Sequence, residues 1–393
     1  MRARAERFGA IVAMDEPPAL ISVNRAFARR LGVAPDGQWG EDEAGLEIEV
    51  LRAPTEVHLA ATMRCPAACT SCYADATPRG HEPSFDEVVA RIDALASASV
   101  FSIAFGGGEA ALREDIVKLA AHARARGLMP TLTTSGLGMN SKRAESFRVF
   151  AQVNVSYDGA TDVSTSVRGY DGATVAKEAM RCLGEAGVPF GINTVLTRTS
   201  YEHVADTARD VQALGACEMQ LLRFKPSGRG RMNYLAERLT FAQIDSFAET
   251  LRTLSTRHSF ALRIDCALMP FLVQAKDVSP EAIATFGVMG CEAGRSLCAT
   301  KSDGSMSPCS FWDGGPSGEL DFQEAWEKDP TLSAFRSYVR NAPEPCKSCE
   351  FRQVCRSGCR IVARELTGDA FAPDPECPRV RSMRETDPAR SST

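Results

Sequence analysis

Short apolar runs alternate with amphipathic stretches along residues 55–225 of this chain. Six of these runs have the length and composition of strands, and the stretches between them repeat apolar residues at helical spacing. Strands that alternate with helices predict a parallel sheet with helices outside it. The pattern leaves open a closed barrel, a partial barrel and an open doubly wound sheet. The predicted strands are Val57–Ala61, Phe101–Phe105, Pro130–Thr134, Val153–Ser156, Phe190–Leu196 and Met219–Phe224.

Helix signals occupy the intervals between these strands. Ser84 and Glu87 have the spacing of a capping box, which predicts a helix that continues through Ala98. A bridging helix is predicted after the last strand, over Phe241–Thr256. The other predicted helices are Arg113–Arg126, Ser141–Phe150, Ala173–Ala186 and Tyr201–Leu214.

The first 54 residues form an extension ahead of the barrel core. Phe8–Ala13 and Ala19–Val23 predict a hairpin, and Asn24 is placed to cap a helix through Leu31. The extension either covers the barrel or docks a peptide, because an exposed hairpin edge can accept an added strand. We therefore predict an extension (1–54), a barrel core (55–235), a bridging region (236–285), a cysteine-rich domain (286–380) and a disordered tail (381–393).

Charge and hydropathy exclude two classes of partner. The net charge is −5 with no basic stripe, so no nucleic-acid partner is expected. No apolar run approaches the roughly 18 residues of a membrane span, and the N-terminus lacks the features of a signal peptide. The chain has 14 cysteines, of which Cys182, Cys217 and Cys266 stand alone and are expected to be small buried hydrophobes. The others fall into closely spaced groups, which in a long chain indicates metal binding in a reducing cytoplasm.

The first cysteine group, Cys65, Cys69 and Cys72, follows the first strand with the spacing C-x3-C-x2-C. Three thiolates on one loop suit a [4Fe–4S] cluster with one iron left open, and a zinc site with a remote fourth ligand is the alternative. Gly106-Gly107-Gly108-Glu109 follows the second strand. Glycines allow the backbone to approach a ligand closely, and a carboxylate beside them can hold an ammonium group.

These two loops together resemble the radical SAM superfamily, over roughly Val57 to Phe224. The resemblance implies a partial (β/α)6 TIM-like barrel in which the three cysteines hold a cluster and S-adenosylmethionine (SAM) chelates its open iron. Ala110 and Ser71 depart from the usual proline and aromatic residue at those positions, and Tyr73 follows the cysteine loop. Arg168 would pair with the SAM carboxylate. The full set of implied SAM contacts is Gly107, Gly108, Glu109, Ser135, Ser156, Asp158, Arg168 and Asn193.

The remaining cysteine groups resemble the SPASM domain that follows many radical SAM barrels. Cys291 to Cys309 reads C-x12-G-x4-C, and the run from Cys346 to Cys359 reads C-x2-C-x5-C-x3-C. The segment is poor in long apolar runs, so metal binding is expected to stabilise it. The resemblance implies two further [4Fe–4S] clusters, three in all. One is held by Cys291, Cys298, Cys309 and Cys359, and the other by Cys346, Cys349, Cys355 and Cys377.

The resemblance also implies the chemistry. The reduced cluster would pass an electron to SAM, and the resulting 5′-deoxyadenosyl radical would abstract a hydrogen atom from the substrate. SPASM-bearing enzymes act mostly on peptides, so the leading hypothesis is oxidative maturation of a ribosomally made precursor peptide, with a flavodoxin or ferredoxin as electron donor. The alternatives are a small-molecule oxidase, a sulfatase-maturing enzyme and a non-catalytic electron carrier. Ser310 disfavours the sulfatase case, because those enzymes have an aspartate at that position. Asp303, Asp313, Tyr157 and Arg223 are unranked candidates for a general base.

Overall fold

The computed structural model describes residues 2–15, 18–35, 37, 39, 50–285, 287–313 and 321–386. One large, mainly parallel sheet dominates this part of the chain, and a small antiparallel sheet precedes it. None of the helices described is both long and apolar enough to cross a membrane.

The N-terminal sheet consists of β1 (Arg2–Glu6), β2 (Gly9–Asp15) and β3 (Pro18–Asn24), paired antiparallel in that order. The predicted hairpin is confirmed as β2 and β3. The predicted helix is confirmed as α1 (Arg25–Arg30), where Asn24 Oδ1 accepts a hydrogen bond from the Phe27 amide at 2.8 Å. β1 was not predicted from the sequence.

Buried Arg4 anchors this small sheet to the barrel. Its guanidinium pairs with Glu6 at 2.8 Å and donates to the carbonyl oxygens of Ala53, Pro54 and Ser99. Within the described residues the opposite strand, β3, pairs on one side only, and it carries exposed apolar side chains, with Leu20 at 49% and Ile21 at 42% exposure. β3 is therefore an edge strand with a free row of backbone groups.

The large sheet has nine strands in the order β10-β9-β8-β7-β6-β5-β4-β11-β12, all parallel except β12. Among the described residues its two end strands do not pair with each other, so the barrel is partial, as predicted. All six predicted strands are confirmed, and β10, β11 and β12 are additional. The strands are β4 (Glu56–Thr62), β5 (Ser102–Gly107), β6 (Met129–Thr134), β7 (Gln152–Ser156), β8 (Phe190–Leu196), β9 (Glu218–Arg223), β10 (Ala261–Ile264), β11 (Leu297–Thr300) and β12 (Met306–Ser307).

The alternation of side chains in β7 shows why the barrel is hollow. Val153 and Val155 are fully buried in the apolar core, whereas Gln152, Asn154 and Ser156 line an internal cavity. Successive residues of a strand point to opposite faces, so the apolar side meets the helices and the polar side faces inward. Filled TIM barrels place branched apolar residues inside instead. Polar residues in this position leave room for a ligand.

The helices confirm most of the predicted ones. The Ser84–Glu87 capping box is present and opens α2. The helix predicted over Tyr201–Leu214 is divided into α7 and α8, and the one predicted over Ser141–Phe150 ends in a short 3-10 turn. Further helices are α2 (Phe85–Ser97), α3 (Ile116–Ala125), α4 (Ser141–Ser146), α5 (Thr161–Arg168), α6 (Ala173–Glu185), α7 (Arg198–Glu202), α8 (Val204–Ala213), α9 (Gly230–Glu237), α10 (Phe241–Arg257), α11 (Pro280–Thr285), α12 (Phe322–Lys328), α13 (Pro330–Asn341), α14 (Arg352–Cys355), α15 (Arg360–Thr367) and α16 (Pro378–Thr386).

The C-terminal region departs from two expectations. It buries more apolar surface than predicted: Trp326 of α12 is fully buried, and its indole N–H donates to the Leu51 carbonyl at 2.9 Å. Packing against the barrel therefore contributes to its stability besides any metal. The predicted disorder of 381–393 is wrong for its first part, because α16 continues to Thr386; the remainder lies outside the described residues. The bridging region and the cysteine-rich region each add a strand to the barrel sheet, β10 and β11.

Candidate active site

A cavity of about 2100 Å³ occupies the inside of the partial barrel. Small-ligand pockets usually measure about 300–1,000 Å³, so this one has room for a cofactor and a substrate together. All three thiols of the first cysteine group face it, together with most of the residues predicted to contact SAM. Those residues are Gly107, Gly108, Glu109, Ser135, Ser156, Arg168 and Asn193.

The loop that carries Cys65, Cys69 and Cys72 is held by backbone contacts on both sides. Arg229 binds the Cys69 carbonyl through its Nε at 2.8 Å and the Cys72 carbonyl through its amide at 2.9 Å. The Cys65 amide donates to Thr77 at 2.9 Å. Burial raises the pKa of the Cys65 thiol, and the charges at Cys69 and Cys72 raise it further. The three thiols therefore form one electrostatically coupled set that favours binding to a cation.

The donor set suits a four-iron cube with one open corner. Each thiolate of such a cube binds a different iron, so three thiols on one loop leave one iron without a protein ligand. Nowhere in the described ranges do three His, Cys, Asp or Glu side chains converge on a single-ion site. The residues present therefore fit the cluster.

The glycine loop packs directly against the cysteine loop. A Cβ on Gly107 would lie 2.3 Å from the Thr62 carbonyl oxygen, and one on Gly108 would lie 2.3 Å from that of Arg64. The amides of Gly108 and Glu109 donate to these same two carbonyls, at 2.7 and 2.9 Å. The glycines thus allow two backbone segments to touch. An ammonium group at this loop requires acceptors, and the Glu109 carboxylate beside the glycines is one.

Glu109 is 3% exposed and lines the cavity. Its carboxylate accepts hydrogen bonds from Thr134 Oγ1 at 2.6 Å, from the Ser135 amide at 2.7 Å and hydroxyl at 2.5 Å, and from the Ala111 amide at 3.2 Å. Burial raises the pKa of Glu109, while these donors oppose the rise. The donors fix the orientation of the carboxylate, and Ser135 acts here through Glu109.

Asp158 and Arg168 form an ion pair at 2.7 Å. Asp158 is fully buried, accepts a hydrogen bond from the Val195 amide at 2.8 Å and is not part of the cavity wall, whereas Arg168 is. Burial opposes the charge on Arg168, but Asp158 and Cys69 raise its pKa overall. The predicted contact of Asp158 with a ligand is therefore replaced by a positioning role. Arg168 presents a permanent positive charge to the cavity.

Asn193 supplies an independent sign of a ligand. Its Oδ1 is buried in the cavity wall and has no hydrogen-bond partner in the part of the chain that the structure describes. A buried acceptor without a partner is costly, so such an atom indicates a donor that belongs to a bound molecule. With the carboxylate of Glu109 and the guanidinium of Arg168, the wall offers acceptors and a cation. A zwitterionic amino acid moiety such as that of SAM requires this combination.

The structure separates the four candidates for a general base. Asp303 and Asp313 line the cavity. Tyr157 does not line the cavity, and its hydroxyl donates a hydrogen bond to Asp210 at 2.6 Å. Arg223 also lines the cavity, but its guanidinium is held by Asp374 through two hydrogen bonds, at 2.6 and 3.0 Å.

Sequence reasoning missed two polar clusters in the cavity wall. His58 lies between Ser310 and Glu56, with Nδ1 2.9 Å from Ser310 Oγ and Nε2 3.0 Å from Glu56 Oε1. Lys225 pairs with Asp265, and its ammonium lies 4.1 Å from the centre of the Phe311 ring. His58 lies on an inward-facing position of β4, and Lys225 follows the end of β9. The alternation of residues in β4 and the predicted end of β9 could therefore have located both side chains from the sequence.

The lone cysteines differ from one another. Cys182 is buried, as expected, whereas Cys217 is exposed and Cys266 lines the cavity, so the expectation of burial is wrong for Cys217.

In the C-terminal region, burial raises the pKa of Cys355, and charges at Cys377 and Cys346 add to the effect. Burial also raises the pKa of Cys346, and the charge at Cys349 adds to that rise. Electrostatic influence therefore connects these four thiols.

Comparison with known proteins agrees with this site. Residues 60–211 match the radical SAM superfamily. The chain is 29% identical to the PqqA peptide cyclase of Methylocella silvestris, over 80% of this chain and 85% of the relative. It is 27% identical to an AdoMet-dependent heme synthase of Nitratidesulfovibrio vulgaris, over 80% and 90%.

The fold is similar to that of Streptococcus suis SuiB, solved bound to the precursor peptide SuiA. The TM-score is 0.74 at 17% identity, with 96% of this chain and 98% of SuiB covered. The matching residues 60–211 contain the cysteine loop, the glycine loop and Asn193. Residues 60–211 therefore form a radical SAM domain, which implies SAM and a [4Fe–4S] cluster, and the relatives support enzyme activity.

Proposed function

We propose that this enzyme modifies a ribosomally made precursor peptide, starting with abstraction of a hydrogen atom from one of its side chains. The observation that carries the proposal is the single cavity that joins the cysteine loop, the glycine loop and the C-terminal residues Ser310–Asp313. Its volume of about 2100 Å³ exceeds what SAM alone requires. The relatives with a peptide cyclase name and the peptide-bound neighbour support this substrate class.

Each residue of the wall has a proposed task. Cys65, Cys69 and Cys72 hold the cluster, Glu109 accepts the amino group of SAM, and Arg168 pairs with its carboxylate. When bound, the cluster and SAM supply an electron and a carbon-centred 5′-deoxyadenosyl radical, which is the hydrogen-abstracting agent. Ser135 and Asp158 hold Glu109 and Arg168 in place. Ser156 and Asn193 complete the pocket as polar contacts for SAM.

The substrate end of the cavity contains groups that can move a proton. His58 lies between a carboxylate and a hydroxyl, so its ring is oriented at both nitrogens. Asp303 and Asp313 border the same space. We assign the proton that leaves the substrate during a net oxidation to this group of residues, with His58 as the best-oriented acceptor.

Two further [4Fe–4S] clusters complete the proposed cofactor set. Cys346, Cys349, Cys355 and Cys377 form the ligand set of one, in agreement with their mutual electrostatic influence. The other set includes Cys291, Cys309 and Cys359, which influence one another in the same way. Fully ligated cubes suit electron transfer, so the proposed role is to accept the electron of the substrate radical. A flavodoxin or ferredoxin would reduce the first cluster.

The N-terminal sheet is the proposed docking point for the peptide. β3 offers an unpaired edge, and Leu20 and Ile21 expose apolar side chains beside it. An extended peptide segment can add to such an edge through main-chain hydrogen bonds. This arrangement would hold one end of the substrate while the other end enters the cavity.

Co-expression tests the proposal. We expect a precursor peptide, sought among short reading frames beside this gene, to change mass when co-expressed with the enzyme under anaerobic, cluster-replete conditions. Loss of hydrogen is the expected change, about 2 Da for each new bond formed by net oxidation. The control is the Glu109→Gln enzyme, which should leave the peptide unmodified. A peptide of unchanged mass beside an enzyme that cleaves SAM contradicts the peptide assignment.

A small-molecule substrate is the second candidate, because several relatives are named AdoMet-dependent heme synthase. The same assay distinguishes the two. A tetrapyrrole that accelerates formation of 5′-deoxyadenosine, with no effect of the peptide, would favour this candidate.

A further inference from the structure

The ligand set implied by resemblance for the first auxiliary cluster contains one cysteine that the structure places elsewhere. Cys298 lies on β11, paired in register with Val57 of β4, and is fully buried in the apolar core. Its neighbours in the strand, Leu297 and Ala299, both line the cavity, whereas Cys298 does not. Because alternate residues of a strand point to opposite faces, the Cys298 thiol points away from the cavity.

The charges around Cys298 lead to the same result. Burial raises the pKa of this thiol, and Arg336 opposes the rise. The three remaining members of the implied set behave differently, because Cys309 is influenced by Cys291 and Cys359 after the dominant effect of burial. Cys298 is therefore separated from the cysteines with which it was expected to share a cluster.

Cys266 lies where a fourth ligand is needed. It begins the 3-10 helix Cys266–Leu272 that follows β10, and it lines the cavity. The next residue, Ala267, packs in one apolar cluster with Cys359 and Cys309. Burial raises the pKa of Cys266, and charges at Asp265, Cys291 and Cys359 contribute. Cys266 therefore lies beside the same thiols from which Cys298 is separated.

The surroundings of Cys266 also suit a negatively charged cluster. Lys225, which is buried, pairs with Asp265 next to Cys266 and is influenced by the charges of Cys359 and Cys266. A buried ammonium beside several thiolates lowers the cost of concentrating negative charge. Cys298 by contrast belongs to the apolar core cluster, and the charged group that acts on it is Arg336.

We propose that Cys266, and not Cys298, is the fourth ligand of the first auxiliary cluster, together with Cys291, Cys309 and Cys359. This places one ligand in the bridging region, directly after a barrel strand, so the cluster ties the barrel to the C-terminal domain. Cys298 then serves as a small packing residue between β4 and the C-terminal helices. The inference rests on the proposal that this region holds [4Fe–4S] clusters.

The test uses the full chain with Cys65, Cys69 and Cys72 all replaced by alanine, so that only the auxiliary clusters remain. In this background Cys266→Ala and Cys298→Val are compared, and valine keeps the apolar packing at the second position. Iron and sulfide content and the electron paramagnetic resonance (EPR) spectrum of the reduced protein are measured after anaerobic reconstitution. The parent protein should bind about eight iron atoms, the number in two cubes.

Cys266→Ala is expected to alter the spectrum of one cluster and to lower the iron content towards about four atoms. Cys298→Val is expected to retain the iron content and spectrum of the parent. A Cys266→Ala protein with unchanged iron and an unchanged spectrum overturns the inference. A parent that binds no auxiliary iron would instead contradict the proposed cofactor set, so the two failures are distinguishable.

Discussion

Replacing any one of Cys65, Cys69 and Cys72 with alanine is expected to reduce reductive cleavage of SAM to the background rate. Three protein thiolates are the smallest set that leaves one iron open while holding the other three. Removing one thiolate leaves a second iron without a protein ligand and destabilises the cluster. Neither SAM binding nor electron transfer can then follow. The measurement is 5′-deoxyadenosine formed under dithionite, quantified by mass spectrometry. The iron content should fall by about four atoms.

Cys217→Ser is the matched control for these variants. Cys217 is exposed, lies just before β9 and belongs to none of the three cysteine groups. Its thiol donates to the Phe190 carbonyl at 3.1 Å. Its substitution should leave both the iron content and the cleavage rate at the wild-type value. If a Cys65→Ala protein formed 5′-deoxyadenosine at the wild-type rate, the assignment of the cysteine loop would be wrong.

Replacing Arg223 with methionine is expected to lower the free energy of unfolding by about 3–5 kcal/mol, because it leaves the buried carboxylate of Asp374 without its cation, while Glu376 keeps Arg238. Arg223 is 2% exposed and binds Asp374 at 2.6 Å and Glu376 at 2.7 Å, both of which are almost fully buried. Asp374 also accepts the amide of Cys359 at 3.0 Å. The loss should therefore displace Cys359 and reduce the iron content of the auxiliary site.

Arg231→Met provides the comparison for Arg223. Arg231 also connects the barrel side of the chain to the C-terminal region, through Asp313 and Glu365 at 3.0 Å each, but its side chain is 42% exposed. Exposed pairs contribute about 0–1 kcal/mol. Denaturant unfolding of both variants under anaerobic conditions measures the difference. Equal effects of the two substitutions would contradict the account of Arg223.

The barrel was predictable because its strands carry a simple signal. In β7 the valines at 153 and 155 face the helices and the polar residues between them face the cavity, a period of two that the sequence displays directly. The spacing of Cys65, Cys69 and Cys72 and the Gly106–Glu109 run were equally local. Short-range patterns of this kind survive any arrangement of the rest of the chain.

The features that were missed depend on contacts between distant segments. β11 has four residues and is a strand because it pairs with β4 on one side and β12 on the other. The sequence predicted that Asp158 contacts SAM. Only the structure shows that Asp158 pairs with Arg168 and does not itself line the cavity. Cys266 has no close cysteine neighbour in the sequence, and β10 brings it to the others. The helical part of the predicted tail, up to Thr386, likewise follows from tertiary packing.

The central claim is that the amino group of SAM binds the open iron of the cluster held by Cys65, Cys69 and Cys72. EPR of the reduced enzyme with SAM labelled by nitrogen-15 in that group tests it most directly. The account predicts a changed cluster spectrum and a hyperfine coupling from the labelled nitrogen, both absent in Cys69→Ala. An unchanged spectrum at saturating SAM, or zinc in place of iron at this loop, would contradict it.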